Sequence, residues 1–414
     1  MSRATLQEVV PHVPQGNREP GHAWQVRAFR RFLLGSFVSR TGDWMDMTVL
    51  NWVVLQMTGS SVYLGLINAC RLLPTFIASI PAGMLADRYE RKKLLLGTHM
   101  VSTVFTFLLA AALMLHSPFG LFALLVTLRS FVQAMDPVIR GALIPNLVPE
   151  SCMSSALSMH VAVLNLSRMI GPAVAGGLLS FLAADSIFIL TGLCILGGTL
   201  SLSKMPQLPA IMSDKAKQAS SLREALHFIK QQPLIQALLT LAVIPMLFAF
   251  PYTSLMPYFA QQLLQLGPGG FGMLLSVSAI GALLGSVGLS VKAPQGHTGK
   301  WLVTSIIAFG LSWVAFIESV NLTMALISML AVGLTGQTYR TMSRITLQKQ
   351  VPDDLRGRVL SIALMDRGFI PLGTILIGAA AEFAGPHTAG LIMGGSCIAV
   401  TLAVLLYKKE LWRM

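Results

Sequence analysis

The stretch Pro-Ala-Gly-Met-Leu-Ala-Asp-Arg-Tyr-Glu-Arg-Lys-Lys, residues Pro81 to Lys93, interrupts a long apolar segment. A second apolar segment begins directly after it, at Leu94. A short basic connection between two membrane-length apolar segments is typical of a cytoplasmic loop between transmembrane helices. The stretch therefore predicts a helical membrane protein and assigns a side of the membrane to this loop.

The composition of the whole chain supports this prediction. Apolar residues make up 54% and charged residues 11% of the 414 residues, whereas charged residues make up about 25% of soluble domains. The apolar residues fall into about twelve stretches of about twenty residues, the length that a helix needs to cross a bilayer core of about 30 Å. These stretches are too long for transmembrane strands and do not alternate. The predicted fold is an all-α membrane protein, with spans that start at Phe29, Val62, Leu94, Phe119, Met153, Ser186, Leu234, Gly270, Trp301, Leu322, Leu355 and His387.

The net charge of +13 is distributed by loop. Lysine and arginine occur in the N-terminal segment, at Lys408-Lys409 and in every second loop: Arg88–Lys93, Lys204–Lys230, Lys292–Lys300 and Lys349–Arg358. The intervening loops contain none. This asymmetry predicts that both termini are cytoplasmic in a multi-pass protein of a bacterial inner membrane. It argues against a nucleic-acid partner, because a nucleic-acid patch would be contiguous. The residues before Ala28 lack the apolar core of a signal peptide.

The spans divide into two halves. We expect a cytoplasmic tail at 1–28, a six-helix bundle at 29–204, a linker at 205–232, a second six-helix bundle at 233–407 and a cytoplasmic tail at 408–414. Leu147-Val148-Pro149-Glu150 is echoed by Gln350-Val351-Pro352-Asp353, which favours a parallel repeat. The basic stretch Ser220–Lys230 predicts a short surface helix in the linker. A solvated linker and a helix lying on anionic lipid are both compatible with it.

Charged residues within spans are costly and usually face a partner or a water-filled cavity. In the first span, Arg40, Asp43 and Asp46 follow at i,i+3 spacing, so that Arg40 can neutralise Asp43 and Asp46 is the better candidate for a free acid. A structural ion pair between helices is the alternative. The remaining candidates for the central cavity are Arg71, Arg129, Gln133, Arg168, Arg340, Asp366 and Arg367.

The fourth span carries a narrow polar stripe of Arg129, Gln133, Asp136 and Arg140, with Pro137 expected to kink the helix. The tenth span has a counterpart in Gln337, Arg340, Arg344 and Gln348. The fifth span combines Gly171, Pro172 and Gly176, which predicts either a hinge or ordinary close packing of membrane helices.

Several kinds of site are absent from the sequence. The four cysteines have no paired spacing and fall mostly in apolar runs, and no metal-ligand, nucleotide-binding or nucleophile motif is present. The prediction is a protein that is not an enzyme and holds neither metal nor cofactor. His160 is interpreted as the only histidine well within a span, and as a packed or cavity-lining residue.

The loop at Pro81–Lys93 resembles the signature of the Major Facilitator Superfamily, approximately G-x-L-A-D-R-x-G-R-K. Its matching residues are Gly83, Leu85, Asp87, Arg88, Arg91 and Lys92, whereas Glu90 replaces the usual glycine. Leu125-x-x-x-Arg129-x-x-x-Gln133-Ala134 is similar to a second superfamily pattern, and Gly171-Pro172 with Gly176-Gly177 to a third. Gly42-Asp43-Trp44 and the segment Gln348–Val359 resemble the bacterial efflux branch that includes macrolide and enterobactin exporters.

The resemblance implies a monomeric secondary transporter that exports a small molecule by alternating access in exchange for protons. It implies a proton-coupling role for Arg129 and a cytoplasmic gate formed by Gly83, Asp87, Arg88, Arg91, Asp136 and Arg140, with Arg140 as a candidate partner of Asp87. Asp46 or Asp366 would carry the proton. Arginines outnumber acids within the spans, so we expect an anionic or zwitterionic cargo such as a siderophore or a phospholipid. An importer or a lipid translocator of the same fold is the nearer alternative, and a membrane-embedded enzyme or receptor the distant one.

Overall fold

The computed structural model describes residues 22–205, 222–291 and 297–408. Side chains are described for these residues except those at 76, 79–84, 86–88, 142, 222, 223, 353 and 354. Within the described ranges the secondary structure consists of α-helices and short 3-10 turns, without strands. The predicted all-helical class is confirmed.

The described residues form fifteen α-helices, and eleven of them begin within three residues of a predicted span start. In chain order they are α1 Arg27–Thr58, α2 Ser61–Arg88, α3 Arg91–Met114, α4 Phe119–Gln133, α5 Met135–Leu143, α6 Met153–Leu179, α7 Ala184–Ser203, α8 Leu222–Gln231, α9 Pro233–Phe248, α10 Tyr252–Leu264, α11 Pro268–Val291, α12 Thr298–Ile317, α13 Leu322–Gln350, α14 Asp353–Ala363 and α15 Phe369–Tyr407. Nine helical segments of the described chain are long and apolar enough to cross a membrane. The helices α1 and α2, of 32 and 28 residues, also exceed the roughly 20 residues that a span needs.

Local sequence explains how the helices begin and end. Gly59 ends α1 in the left-handed region, with φ of 64°, a conformation that glycine adopts at little cost. The Ser60 side chain then accepts a hydrogen bond from the Val62 N–H and caps α2. Asn321 caps α13 in the same way, accepting from the Met324 N–H. Each cap fixes the start of its own helix.

Proline interrupts two of the predicted spans, and glycine separates two others. The predicted kink at Pro137 is present as a break between α4 and α5, because proline cannot donate to the carbonyl four residues earlier, that of Gln133. Pro245 and Pro251 accompany the break between α9 and α10. The helix α15 contains a sharp turn at Gly385, with φ of 84°, directly before the predicted start of a span at His387.

A helix lies within the predicted linker. This helix is α8, and its residue Glu224 forms an ion pair with Arg358 of α14 at 3.3 Å. Ser220 and Ser221, the expected capping residues, lie outside the described residues, as do the first 21 residues of the N-terminal tail.

The helices pack as two groups that follow the chain. In the N-terminal group (α1 to α7), α1 packs on α6 and α7, and α3 packs on α4 and α7. In the C-terminal group (α9 to α15), α13 packs on α11 and α12, and α15 packs on α9 and α12. The main contacts between the groups are made by α6 with α11 and by α2 with α15. The candidate site lies where these groups face each other.

Candidate functional site

A cavity of about 430 Å³ lies between the two groups. Helices α1, α2, α4 and α6 provide its wall on one side, and α9 to α11, α13, α15 and the 3-10 turn before α15 provide the other. The lining combines aromatic, hydroxyl and guanidinium groups: Trp44, Met47, Thr48, Asn68, Arg71, Leu72, Thr75, Ser130, Gln133, Arg168, Pro172, Met246, Phe250, Tyr252, Thr253, Ser254, Leu275, Ser278, Arg340, Arg367 and Ile370. Apolar walls with a few polar groups are typical of small-molecule sites.

The charged residues of this lining are all arginines. Arg71, Arg168, Arg340 and Arg367 line the cavity, and its described lining contains no carboxylate. Among the described residues none of the four has an acidic partner within 4.0 Å. Among the described side chains, no carboxylate directly balances these four positive charges.

Aromatic rings position two of these arginines. The Arg340 guanidinium lies 4.5 Å from the centroid of the Phe250 ring, and that of Arg168 lies 5.7 Å from the Trp44 ring. A cation over an aromatic face is stabilised without losing the hydrogen-bonding capacity of its N–H groups. The Nε of Arg340 is buried and has no hydrogen-bond partner. These guanidinium groups remain able to donate to a bound anion.

A second cavity of about 210 Å³ continues into the N-terminal group. It shares Trp44, Met47, Arg71 and Gln133 with the first cavity. Its remaining lining consists of Ser39, Arg40, Asp43, Thr98, His99, Ser102, Asp136 and Ile195. The central cavity is thus adjacent to a group of titratable side chains.

Asp136 is the centre of that group. Its Oδ1 accepts a hydrogen bond from Nε of Arg140 at 2.7 Å and lies 2.8 Å from Nε2 of His99. Its other oxygen, Oδ2, accepts from Arg40, which also reaches Asp43 at 3.4 Å. The predicted pairing of Arg40 with Asp43 is therefore confirmed, but Arg40 also bridges to α5.

Asp46 forms a separate, sealed ion pair. Both of its oxygens accept from Arg129, from NH1 and NH2, at 2.6 Å each. Asp46 is 2% exposed and Arg129 0%. The interpretation of Asp46 as a free acid is wrong in this structure, because the arginine of α4 reaches α1 and neutralises it. The alternative of a structural ion pair between helices describes this geometry.

The structure brings most of the predicted cavity residues together. Arg71, Gln133, Arg168, Arg340 and Arg367 line the larger cavity, while Arg40 and Asp43 line the smaller one. Asp46, Arg129 and Asp366 line neither cavity. Asp366 lies in the 3-10 turn Leu364–Gly368.

The predicted gate residues fall into two sets. Asp136 and Arg140 are buried in the charged group, and Arg140 also donates to Ser36 and Ser39 of α1 at 2.5 and 3.1 Å. The side chains of Gly83, Asp87 and Arg88 lie outside the described residues, so the expected pairing of Asp87 with Arg140 stays a prediction. Arg91 begins α3.

The predicted hinge residues are points of close helix approach. A Cβ at Gly171 would lie 2.5 Å from Cβ of Trp44, and a Cβ at Gly176 would lie 2.6 Å from the Pro268 carbonyl oxygen. On α11, a Cβ at Gly272 would lie 2.4 Å from the Pro172 oxygen. The α6–α11 contact between the two groups therefore depends on glycine on both helices.

The second contact between the groups joins α2 to α15. The Ser61 hydroxyl donates to the Gly378 carbonyl at 2.7 Å, and Glu382 accepts from the Ser60 hydroxyl. Both pairs lie at the end of the molecule that carries the α1–α2 connection, here called the Gly59 end. The α6–α11 glycines lie next to the α6–α7 connection, at the same end. The Gly59 end is where the groups touch most closely among the described residues.

His99 is a residue of the candidate site that the sequence interpretation missed. His160 was expected to be the only histidine well within a span, but His99 also lies inside a long apolar helix and is 5% exposed. A polar face on α3, formed with Thr98, Ser102, Thr103 and Thr106, was the available signal. His160 stacks on Phe32 at 5.9 Å.

A family model described as transmembrane secretion effector, within the MFS group, matches residues 23–413. The chain belongs to this family of the Major Facilitator Superfamily. The sequence-based recognition is confirmed, and the family is one of transporters, not of enzymes. The chain is accordingly a multi-pass membrane transporter with bacterial relatives.

Curated relatives cover most of the chain. The staphyloferrin A transporter of Staphylococcus aureus is 30% identical over 388 residues, which cover 92% of this chain and 96% of that protein. The multidrug efflux pump Tap of Mycolicibacterium fortuitum is 24% identical and covers 87% of this chain and 91% of its own. Macrolide efflux protein A of Streptococcus pyogenes is 21% identical, and the match covers 92% of this chain and 95% of that protein.

Solved transporter structures share the fold. A crystal structure of the nucleoside transporter NupG has a TM-score of 0.78 at 14% identity and covers 92% of this chain and 99% of its own. A bacterial homologue of the lysosomal transporter Spinster, in an inward-facing conformation, has a TM-score of 0.70 at 16% identity, with 93% and 96% covered.

Proposed function

We propose that this transporter exports a small anionic molecule through the cavity between its two helix groups. The observation that carries the proposal is that four arginines and no carboxylate occur among the described residues that line the cavity. A guanidinium binds carboxylate and phosphate oxygens through paired N–H donors. Four such groups around a space of about 430 Å³ favour a cargo with several acidic groups.

The relatives support an exported small molecule. Two of them are named as efflux proteins and a third, at 30% identity, as a transporter of staphyloferrin A. We infer that staphyloferrin A or a related siderophore is the first candidate to test. The expected charge of the cargo comes from the arginines and not from the name of the relative.

We further propose twelve spans in two six-helix halves that alternate in access. The nine apolar segments become twelve when α1 and α2 are added and the segment Leu355–Tyr407 is divided at Gly385. The close contacts at the Gly59 end support a state in which that end is shut. With both termini in the cytoplasm, as the loop charges favour, this state would admit cargo from the cytoplasm.

Proton exchange would drive export against a gradient. The charged group around Asp136 lies next to the central cavity, and Asp43 faces the smaller cavity. Loading of a proton on this group would change its net charge beside the bound anion. Such a change can shift the balance between two conformations only if the two states bind the proton differently.

The substrate class is tested by binding to the purified full-length chain in lipid nanodiscs. We expect staphyloferrin A and citrate to raise the unfolding temperature, and tetraphenylphosphonium, a bulky cation, to have no effect. Arg340→Gln should weaken anion binding by about tenfold or more, since a charge-assisted hydrogen bond contributes roughly 1.5–3 kcal/mol. Arg30→Gln, at an exposed position of α1, is the matched control. Stabilisation by the cation alone, or equal anion affinity in Arg340→Gln, would contradict the proposal.

Direction and coupling are tested in vesicles of both orientations. Export predicts uptake of labelled staphyloferrin A into inside-out vesicles when their lumen is acidic, and loss of that uptake with a protonophore. Uptake only into right-side-out vesicles would identify an importer.

A further inference from the structure

The charged group around Asp136 contains a histidine whose two closest contacts require different protonation states. Nε2 of His99 lies 2.8 Å from NH2 of Arg140 and 2.8 Å from Oδ1 of Asp136. A guanidinium can only donate, so a hydrogen bond with Arg140 requires a lone pair on Nε2. A carboxylate can only accept, so a hydrogen bond with Asp136 requires a proton on Nε2.

The other ring nitrogen leaves both states available. Nδ1 of His99 lies 3.2 Å from the Thr199 hydroxyl, which itself donates to the Ile195 carbonyl at 2.7 Å. The hydroxyl oxygen can therefore accept from Nδ1–H. With Nδ1 protonated, Nε2 is free to be bare in the neutral ring or protonated in the cation. The ring need not rotate between the two states.

The charged side chains around the ring are paired with one another. Arg40 and Arg140 balance Asp43 and Asp136, so that the group is neutral when His99 is neutral. A proton on His99 leaves one unbalanced positive charge among residues that are buried, with His99, Asp136 and Arg140 each at most 7% exposed. Uncompensated buried charge is strongly destabilising, so the group must rearrange or be neutralised by an anion.

Five helices bring charged or neutral polar side chains to the surroundings of His99. α1 brings Arg40 and Asp43, α5 brings Asp136 and Arg140, and α7 brings the neutral Thr199. Arg71 of α2 and Gln133 of α4 line the same cavity. The side chains of Asp87 and Arg88 on α2 are outside the described residues.

We propose that His99 is the proton-binding site of the transporter. When His99 binds a proton, its Nε2 loses the contact with Arg140 and keeps the contact with Asp136. The proton enters through the smaller cavity and binds the Nε2 lone pair, and Nε2–H then donates to Oδ1 of Asp136. Arg140, now facing a cation, moves away from the ring. Arg140 also holds Ser36 and Ser39 of α1, so its movement is transmitted to the helix that carries Trp44 at the cargo cavity.

This inference deepens the proposed proton coupling and rests on it for its role in transport. The protonation itself is measured without cargo. The chain has eight histidines, and replacing the other seven by glutamine leaves His99 as the only one. In nanodiscs, ¹⁵N-histidine NMR of this full-length variant reports both ring nitrogens of His99. We expect Nε2 to change from bare to protonated when the pH is lowered.

The mechanical consequence is measured by spin labels at Phe181 and Val320, which are 89% and 86% exposed in the two helix groups, on a chain without native cysteines. The distribution of distances between the two spin labels should change with pH in the parent chain and should be independent of pH in His99→Gln. His160→Gln, a histidine on α6 that is not bonded to Asp136, is the matched control and should keep the parent response.

Two results would overturn the proposal. One is a His99 ring that keeps a single protonation state from pH 5 to 9 in the folded chain. The other is a His99→Gln variant with the full pH response of the parent. If His99→Gln does not fold, the NMR titration of the single-histidine chain still decides the first point. Failure of anion binding, in contrast, would refute the proposed cargo and leave the His99 titration unchanged.

Discussion

The crossing of α6 and α11 allows a quantitative test of how the Gly59 end is held shut. In Gly272→Ala, the added Cβ would lie 2.4 Å from the Pro172 oxygen and 2.8 Å from Cα of Gly176. Real Cβ contacts are essentially never shorter than 3.0 Å. Both obstructing atoms belong to the backbone of α6, so no side chain can rotate away and the helices must separate.

The cost follows from the general behaviour of overpacked contacts. Forcing a methyl group into a packed contact costs about 1–3 kcal/mol. Only the state with a shut Gly59 end bears this cost, so its population relative to the state with an open Gly59 end should fall by about 5- to 150-fold. The stability of each helix group by itself should change little, because the contact is between groups.

The measurement uses the labels at Phe181 and Val320 described above. Gly272→Ala should enrich the longer distances between the two labels. Gly288→Ala, on the same helix but with no atom within 4 Å of its added Cβ, is the matched control and should keep the parent distribution. The reasoning is refuted if folded Gly272→Ala retains the parent distances, or if Gly288→Ala shifts them equally.

Two further predictions concern buried charge and the α2–α15 contact. Asp46→Asn leaves the Arg129 guanidinium buried without its carboxylate, and we expect a loss of about 3–5 kcal/mol, seen as a lower unfolding temperature. Adding Arg129→Gln to Asp46→Asn should restore much of the lost stability. An unchanged unfolding temperature in Asp46→Asn alone would argue against a buried ion pair. Glu382→Gln weakens the charge-assisted bond from Ser60, so the label distances at the Gly59 end should lengthen. Identical distances in Glu382→Gln would show that this bond does not hold the end shut.

Much of the architecture could be predicted from the sequence because membrane helices follow a one-dimensional rule. A span needs about twenty apolar residues, and every predicted start from Phe29 to Leu355 lies within three residues of an observed helix start. Pro137 predicted the break after Gln133 for an equally local reason, the missing backbone donor.

The charged residues were predicted as a set, but their pairing was not. Spacing along α1 placed Arg40 next to Asp43 and left Asp46 free. In the structure, Asp46 pairs with Arg129, which is 83 residues away in sequence. Periodicity shows which face of a helix is polar, and it does not show which polar face of another helix lies opposite.

The sequence by itself determined that this protein crosses a membrane many times, where most of its long helices begin, and that arginines outnumber acids within them. These properties follow from local hydropathy and backbone chemistry. The tertiary structure alone decided that four of the arginines share one cavity while Asp46, Asp43 and Asp136 neutralise others, and that His99 lies between Arg140 and Asp136. Such contacts depend on the distance between helices far apart in the chain, and an ionisable group acquires its role from the charges within a few ångströms of it.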